Sequence, residues 1–235
     1  MKHSAKTLQK YIRRGNAYIA FLSSMPVEEI KFCCSFGNRK IGKVLNVSKA
    51  PIFTCRGVCH KCKDFCYDIK ACLQYTNVME ARMRNTVIFF KDRDLYFDRI
   101  REVMDKRKNN KFLRYDVGGE IMDSDEVARL VQLAKEYPDF IIWTYTKNHA
   151  AVNQFVRENG GSREKAMPTN IIIMVSRVDG ETIDNPYNFP EFNCVTIEAG
   201  TAGEIDAPYC DGDCSKCRKE HVGCVAGESR NVAEH

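Results

Sequence analysis

Two groups of cysteines are the residues of this chain best suited to chemistry. The first group, spaced C-x3-C-x2-C-x3-C, consists of Cys55, Cys59, Cys62 and Cys66. The second group, spaced C-x3-C-x2-C-x6-C, consists of Cys210, Cys214, Cys217 and Cys224. Short loops of this kind let several thiolates converge on one soft metal centre, and thiolates suit zinc or iron–sulfur clusters. The spacing therefore predicts a metal site at each group.

The spacing alone leaves the metal open. Structural zinc sites usually pair two C-x2-C-like knuckles across a dozen or more residues, whereas each group here is one compact loop, which favours iron–sulfur. For the first group we weigh a closed zinc site, an ordinary cluster, and a cluster with one iron left open for chemistry. The remaining cysteines lack such spacing and are predicted to be buried free thiols: Cys33, Cys34, Cys72 and Cys194.

The N-terminal residues indicate the compartment. They combine charges with an apolar patch, and the longest uncharged run, residues 15–27, contains Asn16, two serines and Pro26. That run is too short and polar for a membrane span and lacks a small-residue cleavage site. We expect a soluble cytoplasmic protein with no membrane partner, where twelve cysteines favour metal binding over disulfides.

Charge is distributed unevenly along the chain. Residues 1–112 carry 24 Lys and Arg against 10 Asp and Glu, whereas residues 113–235 carry 12 against 21. A basic half is typical of proteins that bind an anionic partner such as nucleic acid or a nucleotide. The other interpretation is a solvated surface in which the two halves neutralise each other, since the cations are scattered and show no interleaved aromatic pattern.

Apolar runs alternate with amphipathic helices over most of the chain. The predicted strands are KVLNV, NTVIFF, KFLRYDV, FIIWTYT, NIIIMVS and NCVTIEA. In the clearest helix, Asp123 and Glu126 form a capping-box pattern and Pro138 marks the end. The alternation predicts an α/β fold, a partial (β/α) barrel of about six mostly parallel strands with a Cys-rich C-terminal extension. The predicted domains are a helical segment (1–40), the barrel core (41–200) and a metal-binding extension (201–235).

The carboxyl ends of parallel strands are where such folds gather their chemistry. Gly118, Gly119 and Glu120 directly follow one predicted strand, and the first cysteine group lies in the loop after another. Glycines let a backbone approach a ligand closely, and a carboxylate favours a nearby ammonium. The competing interpretation of this GGE sequence is an ordinary tight turn that happens to end in Glu. The next strand ends with Trp143, Tyr145 and Lys147, which are candidates to line a pocket. The two aromatic residues could equally be half-buried core residues.

The pairing of CRGVCHKC with GGE resembles the radical S-adenosylmethionine (SAM) superfamily. The resemblance implies that Cys55, Cys59 and Cys62 hold a [4Fe–4S] cluster whose fourth iron is chelated by SAM. It implies that Gly118, Gly119 and Glu120 bind the SAM amine. MVSRVDGE is similar to the fourth-strand end of some members, so Ser176 would contact the ribose or carboxylate of SAM. The C-terminal cysteines resemble an auxiliary extension that holds a second iron–sulfur cluster or zinc.

The resemblance implies an activity without naming a substrate. SAM would be cleaved to methionine and a 5′-deoxyadenosyl radical that abstracts hydrogen from an unknown substrate, with electrons from an external donor. The segments GNRKIGKV, ARMRN, WTYTK and the Cys-rich tail also resemble the phage and mobile-element family called gene product 88-like. The sequence leaves catalytic residues beyond the cofactor sites unassigned.

Two departures keep alternatives open. The superfamily usually has an aromatic residue before the third cysteine, where this chain has Lys61, while Phe65 and Tyr67 flank Cys66. Cys66 could therefore be a cluster ligand, and a fourth bound cysteine would leave no iron for SAM. The alternatives are a relative that keeps its clusters without SAM cleavage, and a zinc protein of phage or mobile elements that binds nucleic acid through its basic half.

Overall fold

Six parallel strands form one sheet in the part of the chain that the computed structural model describes, namely residues 2–37, 41–57, 60–107, 109 and 111–233. Each strand pairs with the next in chain order, from first to sixth. The strands are β1 (Leu45–Val47), β2 (Phe112–Tyr115), β3 (Ile141–Thr146), β4 (Ile171–Val178), β5 (Glu191–Val195) and β6 (Arg230–Ala233). This sequential parallel order confirms the predicted α/β partial barrel.

Helices connect most of the strands. They are α1 (Ala5–Ser23), α2 (His60–Phe65), α3 (Tyr67–Gln74), α4 (Thr76–Lys91), α5 (Arg93–Asp105), α6 (Ser124–Glu136), α7 (His149–Glu158), α8 (Arg163–Ala166) and α9 (Cys214–Glu220). Short 3-10 turns occur at Val27–Glu29, Gly200–Gly203 and Gly223–Ala226. No helix in the described ranges is long and apolar enough to cross a membrane.

The predicted strand NTVIFF is wrong, because residues 85–90 lie in α4. Three consecutive apolar residues there, Val87, Ile88 and Phe89, are buried. They look like a strand because α4 packs against α1, α3 and α5 and is enclosed on several sides. A short, fully buried apolar run has the same pattern in a helix and in a strand. The sixth strand is instead β6, whose polar sequence RNVA gave no strand signal.

The two faces of the sheet have different coverings. Leu113, Tyr115 and Ile142 point into the main core, which the helices complete. Residues at alternate positions, such as Arg114, Tyr145 and Phe192, line a cavity on the opposite face. We call this second surface the cavity face.

The C-terminal cysteine segment covers part of the cavity face. We call residues 210–226 the cap; it contains α9 and the turn Gly223–Ala226. Val225 of the cap packs with Trp143 in a small apolar cluster that Cys214 and Cys217 contact. Residues 201–235 thus supply both the cap and the last strand of the sheet.

Candidate functional site: a cavity between two cysteine groups

A cavity of about 700 Å³ lies between the cavity face, the first cysteine loop and the cap. Its volume is in the range of small-molecule sites. Its lining includes seven of the eight predicted metal ligands: Cys55, Cys62, Cys66, Cys210, Cys214, Cys217 and Cys224. The eighth, Cys59, lies outside the described residues. Gly118, Gly119, Glu120 and Ser176 line the same cavity, as do Trp143, Tyr145 and Lys147.

The first cysteine group occupies the loop between β1 and α3. The backbone N–H of Ile52 donates to Cys55 Sγ at 3.3 Å. Cys62 lies within α2, and Cys66 directly precedes α3 and packs partly against the main core. Cys66 therefore shares the cavity wall with Cys55 and Cys62, so its position leaves its role as a ligand open.

Burial makes these thiols weak acids. It raises the pKa of Cys55 well above its usual value, and Glu120 and the neighbouring cysteines add to this effect. Burial also raises the pKa of Cys66 to about 12. Metal binding would have to release these protons, because the thiolate is the form that coordinates a metal.

The second group converges within the cap. Backbone N–H of Gly212 donates to Cys210 Sγ at 3.4 Å, and Cys210 is tied to β6 by its own N–H, which donates to Asn231 O at 2.8 Å. Burial, together with repulsion from the three other cap cysteines, raises the pKa of Cys224 to about 11, although a hydrogen bond with Tyr145 opposes this shift. These four side chains are thus close enough to influence one another.

The eleven cysteines that the structure describes are all free thiols. Among the described residues, no group of three His, Cys, Asp or Glu side chains is placed so that it could hold a metal ion. Cys72 is buried, as predicted, whereas Cys33, Cys34 and Cys194 are half-buried. Cys194 also lines the cavity, because it lies on the cavity face of β5.

The GGE turn follows β2 and requires both of its glycines. A Cβ on Gly118 would overlap the Asp68 carboxylate. Gly119 has φ +85°, and a Cβ there would lie 2.7 Å from Thr54 Oγ1 and 2.9 Å from Lys49 Cβ. Close packing and a left-handed backbone thus explain both residues without any ligand.

Glu120 connects the first cysteine loop to the end of β3. It is 5% exposed, and its carboxylate accepts hydrogen bonds from the N–H of Gly57 at 3.1 Å and from Thr146 Oγ1 at 3.3 Å. The N–H of Lys147 donates to it as well. Glu120 therefore positions the loop two residues after Cys55. A carboxylate has about four acceptor positions, which leaves capacity for one more donor.

Ser176 lies near the carboxyl end of β4 and is buried. Its hydroxyl accepts a hydrogen bond from Lys147 Nζ at 2.9 Å, and its carbonyl lies 3.0 Å from His149 Nε2. Lys61 of α2 reaches across to Asp179, just after β4, with a 2.7 Å ion pair. The cysteine loop, β3 and β4 thus meet around one end of the cavity.

A buried ionic network supports the ends of β1 and β2. Lys49 Nζ lies 2.8 Å from Asp116 Oδ2, also forms an ion pair with Glu126, and has a side chain that is 0% exposed. Tyr115 donates its hydroxyl proton to Glu126 Oε1 at 2.6 Å. Glu126 therefore binds this network instead of completing a capping box, although Asp123 does cap α6 by accepting from the Glu126 N–H at 3.0 Å.

A family model described as gene product 88 matches residues 13–228. The chain belongs to this family. The matched range contains both cysteine groups, the GGE turn and Ser176, so most of the cavity lining lies within the family's shared region. No curated protein and no solved structure matches the chain. The family description names no activity.

Sequence reasoning missed Arg114 and Phe192 in the cavity lining, and it missed the Lys49 network, of which Asp116 lines the cavity. Arg114 had a signal, because it alternates with Leu113 and Tyr115, which point into the main core. Its side chain must therefore face the other side of the sheet. The Lys49 network had no local signal, since its members are separated by 67 and 77 residues along the chain.

Proposed function

We propose that this chain is a radical SAM enzyme acting on an unknown substrate. One observation carries the proposal: the cysteines of the first loop that the structure describes, the GGE turn after β2 and Ser176 near the end of β4 all line one cavity. The sequence resemblance implies that these segments bind one cofactor. Their spacing along the chain does not by itself require them to line one cavity.

The residues present fit the proposed cofactors in donor type. Cys55, Cys62 and Cys66 offer thiolates, the ligands that iron–sulfur clusters take, and Cys59 belongs to the same loop. When bound, the cluster and SAM would supply a 5′-deoxyadenosyl radical, since the difficult chemistry belongs to the cofactor. Glu120 would accept a hydrogen bond from the SAM amine while it holds the loop at Gly57.

The remaining groups of the cavity would bind and orient. Ser176 keeps its hydroxyl proton available as a donor while it accepts from Lys147. The cap and its aromatic neighbours Trp143 and Tyr145 would exclude water from the cavity, which protects reactive intermediates from side reactions. The cap cysteines would hold a second cluster or zinc.

Anaerobic reconstitution tests the proposal. The protein, loaded with iron and sulfide, is reduced with dithionite in the presence of SAM, and 5′-deoxyadenosine is quantified. We expect formation by the wild type and loss in Cys62→Ala. Cys33→Ala is the matched control, because Cys33 does not belong to the cavity lining. Absence of both 5′-deoxyadenosine and SAM binding in the wild type would refute the proposal.

Cys66→Ala separates the remaining alternatives. If SAM cleavage survives, Cys66 is not an obligatory ligand. If the wild type carries a cluster that does not bind SAM, whereas the Cys66→Ala cluster does bind it, the natural chain holds its cluster without SAM chemistry. A colourless protein with stoichiometric zinc and salt-dependent binding to random DNA would favour the nucleic-acid-binding alternative.

A further inference from the structure

Arg114 lines the cavity from β2, the second of the six strands. It lies on β2, and its strand neighbour on β3 is Trp143. Its side chain lines the cavity together with residues of both cysteine groups. This position places a permanent positive charge on the floor of the cavity, between the first loop and the cap.

The charge of Arg114 is uncompensated within the described part of the chain. None of the ion pairs formed there includes Arg114, and its Nε is buried without a hydrogen-bond partner. Two phenols and two thiols lie near it, those of Tyr67, Tyr145, Cys214 and Cys224. Arg114 is half-buried, and a cation held partly out of water without an anion is destabilising, so the position favours an anionic ligand.

Two carboxylates of the cavity lining, those of Asp68 and Asp116, are already paired with other cations. Asp68 forms a two-point contact with Arg82, with both donor–acceptor distances at 3.1 Å, and Asp116 pairs with Lys49. Neither forms an ion pair with Arg114. Asp68 and Asp116 are thus each bound to a cation other than Arg114.

The guanidinium lies near the ring of Tyr145, which in turn packs against Phe192. The Tyr145 ring centroid lies 5.4 Å from Arg114 Cζ, and Phe192 packs against Tyr145 with centroids 4.5 Å apart. Guanidinium groups bind carboxylate and phosphate in a planar, two-point geometry and stack on aromatic faces. The combination suits a ligand with an anionic end and an apolar or aromatic body.

We infer that the cavity binds an organic substrate whose carboxylate or phosphate group pairs with Arg114, with its apolar body against Tyr145 and Phe192. The assignment of this ligand as the substrate rests on the proposed function. The binding of an organic anion in the cavity does not, and the two are tested separately.

Ligand-observed ¹⁹F NMR on the reconstituted full-length protein tests the inference. The probes are 4-fluorobenzoate, 4-fluorophenyl phosphate and the neutral isostere 4-fluorobenzamide. We expect at least one anion to bind about tenfold or more tightly than the amide, because a hydrogen bond to a charged group is worth more than a neutral one. The tighter anion identifies carboxylate or phosphate. Equal affinities of the wild type for all three probes would overturn the inference, and this result needs no variant.

Variants then locate the anion. Arg114→Gln should abolish the preference for the anion over the amide, and Arg114→Lys should retain part of it. Arg99→Gln, a change in a half-buried α5 residue that is paired with Glu102 and does not line the cavity, should leave the preference intact. A preference that persists in Arg114→Gln would overturn the inference. Circular dichroism and thermal denaturation show whether each variant is folded, and the wild-type comparison stands even if one is not.

Competition with SAM identifies the role of the bound anion. If the anion and SAM bind the wild type together, Arg114 serves a second ligand, as inferred. If saturating SAM displaces the anion, Arg114 pairs with the SAM carboxylate and the substrate assignment is overturned. A wild type that binds the anion but yields no 5′-deoxyadenosine would refute the proposed function and leave the anion site standing.

Discussion

At the scale of single residues, the Lys49 network carries more negative than positive charge. One buried ammonium faces the two carboxylates of Asp116 and Glu126, and Asp116 Oδ1 has no hydrogen-bond partner. Ionising both carboxylates would leave one negative charge uncompensated in the interior. Burial accordingly raises the pKa of Asp116 to about 7. The attraction of Lys49 lowers this pKa, and repulsion from Glu126 raises it.

This network predicts a pH dependence of stability. A carboxyl whose pKa is higher in the folded state holds more protons there than in the unfolded chain, so its contribution is present at low pH and lost as pH rises. The contribution of Asp116 should therefore fall between about pH 4 and about pH 7. Urea titrations of the wild type and Asp116→Asn across this range measure it. The variant should lack this downward component; identical pH profiles would show that Asp116 does not titrate in this window.

Gly119 predicts a backbone effect with a matched control. Its φ is +85° and its surroundings are crowded, whereas Gly161 has φ +72° and no atom within 4 Å of the position that a Cβ would take. Gly161→Ala should cost about 1–2 kcal/mol of unfolding free energy from backbone strain. Gly119→Ala should cost about 1–3 kcal/mol more, because the added methyl is also overpacked. Chemical denaturation measures both, and equal costs would contradict the crowding at the GGE turn.

At the scale of elements, the cap is the component most dependent on its own cysteines. Its four cysteines line the cavity, and Val225 packs in the apolar cluster around Trp143. The six-stranded sheet, by contrast, has a large core of its own. We therefore expect the cap and the sheet to respond differently to metal.

Metal removal should loosen the cap and leave the sheet unchanged. Amide hydrogen exchange of residues 210–226 should be faster in metal-free than in reconstituted protein, while β2, β3 and β4 remain protected, because a metal site adds its binding energy only to the segment that it orders. Cys217→Ser in the metal-free state is the control and should add little. Equal exchange of the cap with and without metal would show that its cysteines do not hold it in place.

At the scale of the whole molecule, the two oppositely charged halves of the chain are joined by ion pairs. Arg93 binds Asp123 at 2.6 Å and Arg101 binds Glu136 at 2.7 Å, in each case a cation of the first half with a carboxylate of the second. Exposed pairs of this kind add little stability. They do support the interpretation that the basic half neutralises the acidic half within the fold.

The sequence predicted the parts of the molecule that depend on local patterns. Strands β2 to β5 and helix α6 follow from their periodicity, and the GGE turn follows the strand expected. The helix α4 was misassigned because burial on several sides removes helical periodicity, and β6 was missed because Arg230 and Asn231 interrupt its apolar pattern. The cavity required tertiary structure, since the cap reaches it only by folding back over the sheet.

The electron paramagnetic resonance spectrum of the reduced protein, recorded with and without SAM, tests the central claim most directly. If Cys55, Cys59 and Cys62 leave one iron open, SAM binding at that iron should change the spectrum of the reduced cluster, and Cys62→Ala should lose this change while Cys33→Ala keeps it. A wild-type spectrum that SAM leaves unaltered, or a protein that takes up zinc and no iron, would contradict the claim.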